Sequence, residues 1–248
     1  MFKTLIVDDE SAAVKAMELI VSNYCPQLQV CGSAGTVADA VKMIRNEQPE
    51  IVFMDVELPG GTGFNILEET QDVNYEVIFI SAHNHSVLRT FRYSSIDYLQ
   101  KPVDIDELIG KIDKITNNRS SVNNTNVKYE VLFNNINTSH PENLAVFTKS
   151  GLVSVKSSDI VYITRENRTS VLFLLNGEQI ESSTSINEFQ FMLEENGFFR
   201  VNEDFLIQVN SIRKVYRFLN PRVKLVNGVV VSIDKGKLKL LNEVYLSK

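Results

Sequence analysis

Short, continuous apolar runs recur through the first 115 residues, and segments of helical period separate each run from the next. The runs are Leu5–Val7, Leu28–Cys31, Ile51–Met54, Val77–Ile80 and Tyr98–Leu99. A strand whose successive residues are all apolar has to bury both faces, as strands do in a parallel sheet covered by helices on either side. Segments such as Ala38–Ile44 and Leu108–Ile115 supply those helices. Thr36 with Asp39, and Asp104 with Glu107, have the spacing of helix-start capping pairs. The pattern predicts an α/β fold, a doubly wound five-stranded parallel sheet made of five βα units.

After Leu144 the period changes to two, in Leu144–Phe147, Leu152–Val155, Ile160–Ile163, Val171–Leu175, Phe205–Val209 and Val223–Val226. This half is expected to be mainly β. Asn176-Gly177 and Asn227-Gly228 fall between strand-like runs and can supply the positive φ angles of two-residue hairpins. A helix is expected at Ile186–Asn196, with Ser185 and Glu188 as a capping box and Gly197 as its stop. A second short helix is expected near Lys237–Val244. Thr116 to Asn143 holds nine Asn, interrupted by the apolar run Tyr129–Phe133, and reads as a linker with one docked strand. The expected organisation is therefore a first domain at 1–117, a linker at 118–143 and a second domain at 144–248.

A chain of 248 residues can bury two ordinary cores. Its charge is unevenly divided: residues 1–139 carry 11 Lys and Arg against 19 Asp and Glu, whereas residues 140–248 carry 14 against 12. No run approaches the roughly 20 apolar residues of a bilayer span, so no membrane partner and a cytoplasmic address are expected. Cys25 and Cys31 lack partners at metal-ligand spacing and are expected to be core thiols.

Functional groups of an open parallel sheet gather beyond the carboxyl ends of its strands. Strand one ends in Asp8-Asp9-Glu10, the Ile51 strand in Asp55, the Val77 strand in Ser81-Ala82 and the Tyr98 strand in Lys101-Pro102. Carboxylates brought together there repel one another unless a cation intervenes, and an oxygen-only ligand set suits Mg2+. Beside such a cation a carboxylate can take a phosphoryl group by in-line attack, and Asp55, alone at the central strand end, is the expected nucleophile. Lys101 would offer an ammonium and Ser81 a hydroxyl to the phosphoryl oxygens. Lys101-Pro102 could be cis or trans. His83 and His85 are expected to be solvated loop residues.

The set Ile6-Val7-Asp8-Asp9-Glu10, Met54-Asp55-Val56-Glu57-Leu58-Pro59-Gly60 with Gly63, Ile80-Ser81-Ala82 and Tyr98-Leu99-Gln100-Lys101-Pro102 resembles the response-regulator receiver domain. The resemblance covers about residues 1–117. It implies a flavodoxin-like fold and phosphorylation of Asp55 by a sensor histidine kinase. It also implies Mg2+ bound by Asp9 and Asp55 directly, by Asp8 through water and by the Glu57 carbonyl. Tyr98 matches the family's switch aromatic, which turns inward when Ser81 is drawn to the phosphate.

The second half is similar to the LytTR output domain. The similarity rests on Asp159-Ile160-Val161-Tyr162-Ile163, the turn at Gly177, the helix at Ile186, Phe198-Phe199-Arg200-Val201 and the hairpin ending Val231-Ser232. It implies control of transcription, promoter DNA as partner and a homodimer when phosphorylated. The candidate DNA-binding residues are Arg165, Arg168, Arg200, Asn202, Lys235 and Lys237. Arg213, Lys214, Arg217, Arg222 and Lys224 add further positive charge.

The chain departs from the LytTR pattern in two places. Asn202-Glu203-Asp204 stands where the family has a histidine followed by polar or basic residues, and Ser232 is followed by Ile233-Asp234 rather than by basic residues. Carboxylates facing phosphates weaken DNA binding, which draws on Lys and Arg displacing counterions. A phosphorylation-controlled protein-interaction or dimerisation module that binds no DNA is therefore the alternative. An enzymatic output is not expected, because residues 144–248 offer no nucleophile–base set, metal cluster or Gly-rich phosphate loop.

Overall fold

The computed structural model describes residues 1–82, 91, 93–94, 96–117, 122–136, 142–193, 196–218 and 220–246. They divide into two compact units, Met1–Tyr129 and Glu130–Lys248. His83 and His85 lie outside the described residues.

The first unit holds β1 (Phe2–Val7), α1 (Ser11–Tyr24), β2 (Leu28–Ala34), α2 (Val37–Glu47) and β3 (Ile51–Asp55). A small hairpin of β4 (Glu57–Leu58) and β5 (Gly61–Thr62) leads into α3 (Gly63–Glu69). Then come β6 (Glu76–Ser81), β7 (Asp97–Gln100) and α4 (Ile105–Asn117). The main sheet is parallel in the order β2-β1-β3-β6-β7, so the five expected strands all form.

Ile51, Val52, Phe53 and Met54 of the central strand are all fully buried, as an apolar run between two helical layers requires. On one face Ile6, Phe53, Ile78 and Ile80 pack with Met17 and Val21 of α1 and with Leu108 and Ile112 of α4. On the opposite pleat the Phe79 ring lies 5.2 Å from Phe64 of α3 and stacks on Phe91 at 4.5 Å. The caps form as expected: Thr36 Oγ1 accepts from Asp39 N at 3.2 Å, and Asp104 Oδ1 from Glu107 N at 2.9 Å. Cys25 is buried and Cys31 half-buried, and burial pushes both thiols up.

The docked strand expected at Tyr129–Phe133 is instead part of a helix, α5 (Val122–Ile136), which spans the boundary between the units. Asn is a poor helix former, but Tyr129, Val131 and Leu132 are buried, and tertiary burial overrides weak propensity. Within the first unit Tyr129 Oη donates to the Tyr75 carbonyl at 3.3 Å, and Lys128 pairs with Glu76 at 3.3 Å. In the second unit Asn135 is fully buried. Its amide donates to the Asn143 carbonyl at 2.7 Å, and its Oδ1 accepts from the Glu142 and Asn143 amides, both at 3.0 Å.

The second unit continues with β8 (Asn143–Thr148), β9 (Gly151–Lys156), β10 (Ile160–Glu166), β11 (Thr169–Leu174) and β12 (Gln179–Ser182). After α6 (Ile186–Leu193) come β13 (Phe198–Arg200), β14 (Phe205–Gln208), β15 (Ile212–Tyr216), β16 (Arg222–Leu225), β17 (Val230–Ser232) and α7 (Leu238–Leu246). Its sheets are antiparallel: β12-β11-β10-β14-β13, β15-β16-β17 and the hairpin β8-β9. Val161, Val201, Ile207, Val209, Val223, Leu225, Val231 and Leu241 form its core.

The two Asn-Gly turns are not the expected two-residue hairpins. In each the glycine amide bonds to the carbonyl three residues back, Gly177 to Leu174 and Gly228 to Leu225, both at 3.0 Å. The glycines take φ of 86° and 89°, whereas neither asparagine takes a positive φ. Each turn is a three-residue loop with the glycine as the bulge residue. The asparagines serve differently: Asn176 Oδ1 accepts from Glu178 N at 2.9 Å and Asn227 Oδ1 from Val229 N at 3.3 Å. The Ser185–Glu188 capping box forms in both directions.

Candidate functional site

Parallel pairing aligns the carboxyl ends of β1, β3, β6 and β7, and the polar residues that follow each apolar run therefore meet at one edge. Asp8, Asp9 and Asp55 each offer one carboxylate oxygen, and these lie within 4.8 Å of one another. Asp8 is buried, Asp55 half-buried and Asp9 exposed. Lys101 Nζ lies between two of them, 2.8 Å from Asp8 Oδ2 and 2.5 Å from Asp55 Oδ2. Burial alone would lower the Lys101 pKa, but the hydrogen bonds to Asp55 and Asp8 outweigh it and hold the ammonium above its ordinary value.

The remaining oxygens of the two acids are held by backbone. Asp8 Oδ1 accepts from Glu10 N at 2.9 Å, and Asp55 Oδ1 from Glu57 N at 3.2 Å. Those contacts fix the carboxylates and bring the Glu57 backbone next to Asp55. Ser81 is buried at the end of β6, and its carbonyl accepts from the Lys101 amide at 2.9 Å. The Lys101-Pro102 bond is cis. Tyr98 is half-buried; its ring stacks on Phe91 at 6.0 Å, and Lys111 Nζ lies 5.4 Å from the ring centroid. Phosphoacceptor, ligand, hydroxyl and lysine candidates thus share one end of the sheet.

Gly63 belongs to the site for a reason its motif does not disclose. A Cβ there would come within 2.5 Å of the Asp55 carbonyl oxygen, 2.8 Å of Phe79 and 2.9 Å of Met54, and the Gly63 amide donates to the Val56 carbonyl. Only glycine lets α3 begin directly against the strand end that carries Asp55.

The second unit holds three of its six candidates, Arg200, Asn202 and Lys237, in contacts of its own. Arg200 donates through Nε to the Asn202 carbonyl at 2.7 Å, through Nη1 to the Ile186 carbonyl at 3.3 Å and through Nη2 to the Glu203 carbonyl. Burial lowers its pKa, the nearby Arg165 lowers it further, and Asp204 and Glu203 oppose both. Asn202 Nδ2 donates to the Ser232 carbonyl at 2.8 Å, while its Oδ1 accepts from the Asp204 and Phe205 amides. Arg200 and Asn202 therefore brace the loop at 202–204. Lys237 pairs with Asp234 at 3.6 Å, and the Asp234 amide bonds to the Val201 carbonyl. Arg165, Arg168 and Lys235 are exposed, with Arg168 in the turn between β10 and β11.

Two family models match the chain. Residues 4–113 match the response regulator receiver domain, and residues 150–245 match the LytTr DNA-binding domain.

The chain belongs to the response-regulator family with a LytTR output domain.

The match to relatives runs over nearly the whole of each chain. The sensory transduction protein LytT of Bacillus cereus is 25% identical over 98% of this chain and 99% of its own length, and LytT of Bacillus subtilis is 23% identical over the same shares. The transcriptional regulatory protein LytR of Staphylococcus aureus is 22% identical over 96% of each chain. Among solved structures, a LytTr DNA-binding domain from Bacillus cereus is 18% identical, with a TM-score of 0.38 over 42% of this chain and 97% of its own. The response regulator domain of Thermotoga maritima CheB is 23% identical, with a TM-score of 0.42 over 47% and 97%. Among the described residues of this response regulator, no helix is long and apolar enough to cross a membrane.

Proposed function

We propose that Asp55 accepts a phosphoryl group from a sensor histidine kinase and that this modification controls transcription through promoter DNA bound by the LytTR unit. The observation that carries the reading is the Lys101 ammonium bonded to both Asp8 and Asp55 at the carboxyl edge of a parallel sheet, with Asp9 beside them. Three carboxylates at that separation make an oxygen donor set that fits Mg2+, to which the family resemblance adds the Glu57 carbonyl. Bound there, the ion would offset the carboxylate charge and polarise the incoming phosphoryl group.

The chain's own residues do the rest. An Asp55 oxygen attacks phosphorus in line, the phosphorus–nitrogen bond of the donor phosphohistidine breaks, and the electron pair leaves with the imidazole. Lys101 exchanges its bond to the Asp55 carboxylate for one to a phosphoryl oxygen, and Ser81 hydrogen-bonds another. Withdrawal of Ser81 toward the phosphate frees space for Tyr98, whose ring rests on Phe91 before the change. The altered face shifts the equilibrium toward a homodimer that engages promoter DNA.

The reading is tested by incubating the protein with acetyl phosphate and Mg2+ and mapping the modified peptide by mass spectrometry. One phosphoryl group on Asp55, absent from Asp55→Asn, is the expected result. Modification at another residue contradicts it. A second reading, a phosphorylation-controlled protein-interaction module without DNA, draws on Glu203, Asp204 and Asp234, which are exposed at the end of the LytTR unit that the family resemblance assigns to DNA.

A further inference from the structure

The stretch from Arg213 to Lys224 contains five cations and no acid. It forms β15 and β16, and their register sorts its side chains. Val215 pairs with Val223 and Val223 with Val231 on the inner face, where Val223 and Val231 join the core. Strand alternation sends the intervening rows outward: Lys214 opposite Lys224 opposite Val230, and Tyr216 opposite Arg222 opposite Ser232.

Like charges directly opposite one another weaken an antiparallel pair, so the Lys214–Lys224 row works against folding unless an anion covers it. None of the three cations is in an ion pair among the described residues. Two cations lie near the Tyr216 ring, Lys214 Nζ 5.1 Å and Arg222 Cζ 5.4 Å from its centroid. Arg213 and Arg217 flank the face, and Phe218, which follows, is 90% exposed. The face also borders the braced loop, because Ser232 in the Arg222 row accepts hydrogen bonds from Asn202.

We infer that the outer face of β15–β17 seats the phosphate backbone of duplex DNA. The inference rests on the reading that this response regulator acts on DNA, and it moves the electrostatic contact from the loops to the neighbouring sheet. The two places where the chain departs from the LytTR pattern carry Glu203, Asp204 and Asp234, while the adjoining face carries Lys214, Arg222 and Lys224 with no ion pair among the described residues. Cations clustered on the outer rows of a strand pair complement a polymer of phosphates, and the match to a DNA-binding domain spans the whole of this sheet.

The test uses the full chain and a fluorescein-labelled random-sequence DNA duplex, with anisotropy followed across a salt titration, with and without acetyl phosphate. Replacing Lys214, Arg222 and Lys224 by Gln together should weaken binding by roughly tenfold or more. It should also make the slope of log affinity against log salt shallower by about 3, at roughly 0.9 per phosphate. Lys214→Arg should retain both affinity and slope. The triple variant's circular dichroism and melting temperature should match or exceed those of the parent, since relief of the like-charge pair does not harm the fold. If the parent binds and the folded triple variant binds as tightly with the same slope, this face does not seat DNA. If the parent shows no salt-dependent binding in either state, the DNA reading fails and the assignment fails with it.

Discussion

The carboxylate edge of the receiver unit and the braced loop of the LytTR unit both gather polar residues at the end of a sheet, but they use them in opposite ways. At the receiver edge Asp8, Asp55 and Lys101 keep their charged groups on one another, within reach of an incoming group. In the LytTR unit Arg200 and Asn202 direct their donors to backbone groups of the loop at 202–204 and of Ile186 and Ser232. A cation held by carboxylates can exchange partners when a phosphoryl group arrives. A cation held by backbone carbonyls cannot leave without unmaking the loop. Residue type alone therefore does not separate a chemical site from a structural one; the partner does.

The largest effect separating the two regions should come from Asp9→Ala. If Asp9 is a ligand as proposed, its loss should slow modification of Asp55 by roughly a hundredfold or more, with little change in thermal stability, because Asp9 is exposed. Modification kinetics followed by intact-mass spectrometry check this, and an unchanged rate would remove Asp9 from the site. Arg200→Ala should do the reverse. It leaves three carbonyls without their donor and should cost the LytTR unit about 2 kcal/mol in urea unfolding, while Asp55 modification proceeds at the parent rate. A fully stable Arg200→Ala variant would return that guanidinium to the list of free DNA contacts.

Gly63→Ala sharpens the receiver side. The added Cβ meets the Asp55 carbonyl, and overpacking of this kind costs about 1–3 kcal/mol and slows modification, both measurable on one preparation. The smallest contrast pairs the helix caps Thr36→Ala in the first unit and Ser185→Ala in the second. Each should cost about 1 kcal/mol and leave both modification and DNA affinity unchanged.

The receiver was legible because a buried parallel strand must be an unbroken apolar run and its chemistry must follow it directly, so Asp8, Asp55, Ser81 and Lys101 could be placed from order alone. The caps at Thr36, Asp104 and Ser185 were legible for a similar reason, since their bonds span three residues. Long-range partners were not. Asn135 reads as linker composition, yet its side chain closes on Glu142 and Asn143 and helps to order a helix. Ile212–Tyr216 did not stand out as a strand because Arg213 and Lys214 interrupt its apolar pattern, and only the register reveals that Lys214 faces Lys224. Arg200 and Asn202 had been expected to face DNA, and nothing local in Phe-Phe-Arg-Val-Asn announces that carbonyls of the loop, of Ile186 and of Ser232 take their donors. The Asn-Gly turns gave the right reversals with the wrong loop length, because the asparagines cap the following amide rather than take a positive φ.

Whether the state of the receiver edge governs the second unit can be tested on one sample. Sedimentation velocity of the full chain with labelled duplex, with and without beryllium fluoride and Mg2+, reports dimer fraction and DNA binding together. Both should rise on addition of the phosphoryl mimic, and neither should respond in Asp55→Asn. An unchanged dimer fraction and unchanged duplex binding in the parent protein, with the mimic bound at Asp55, would contradict it.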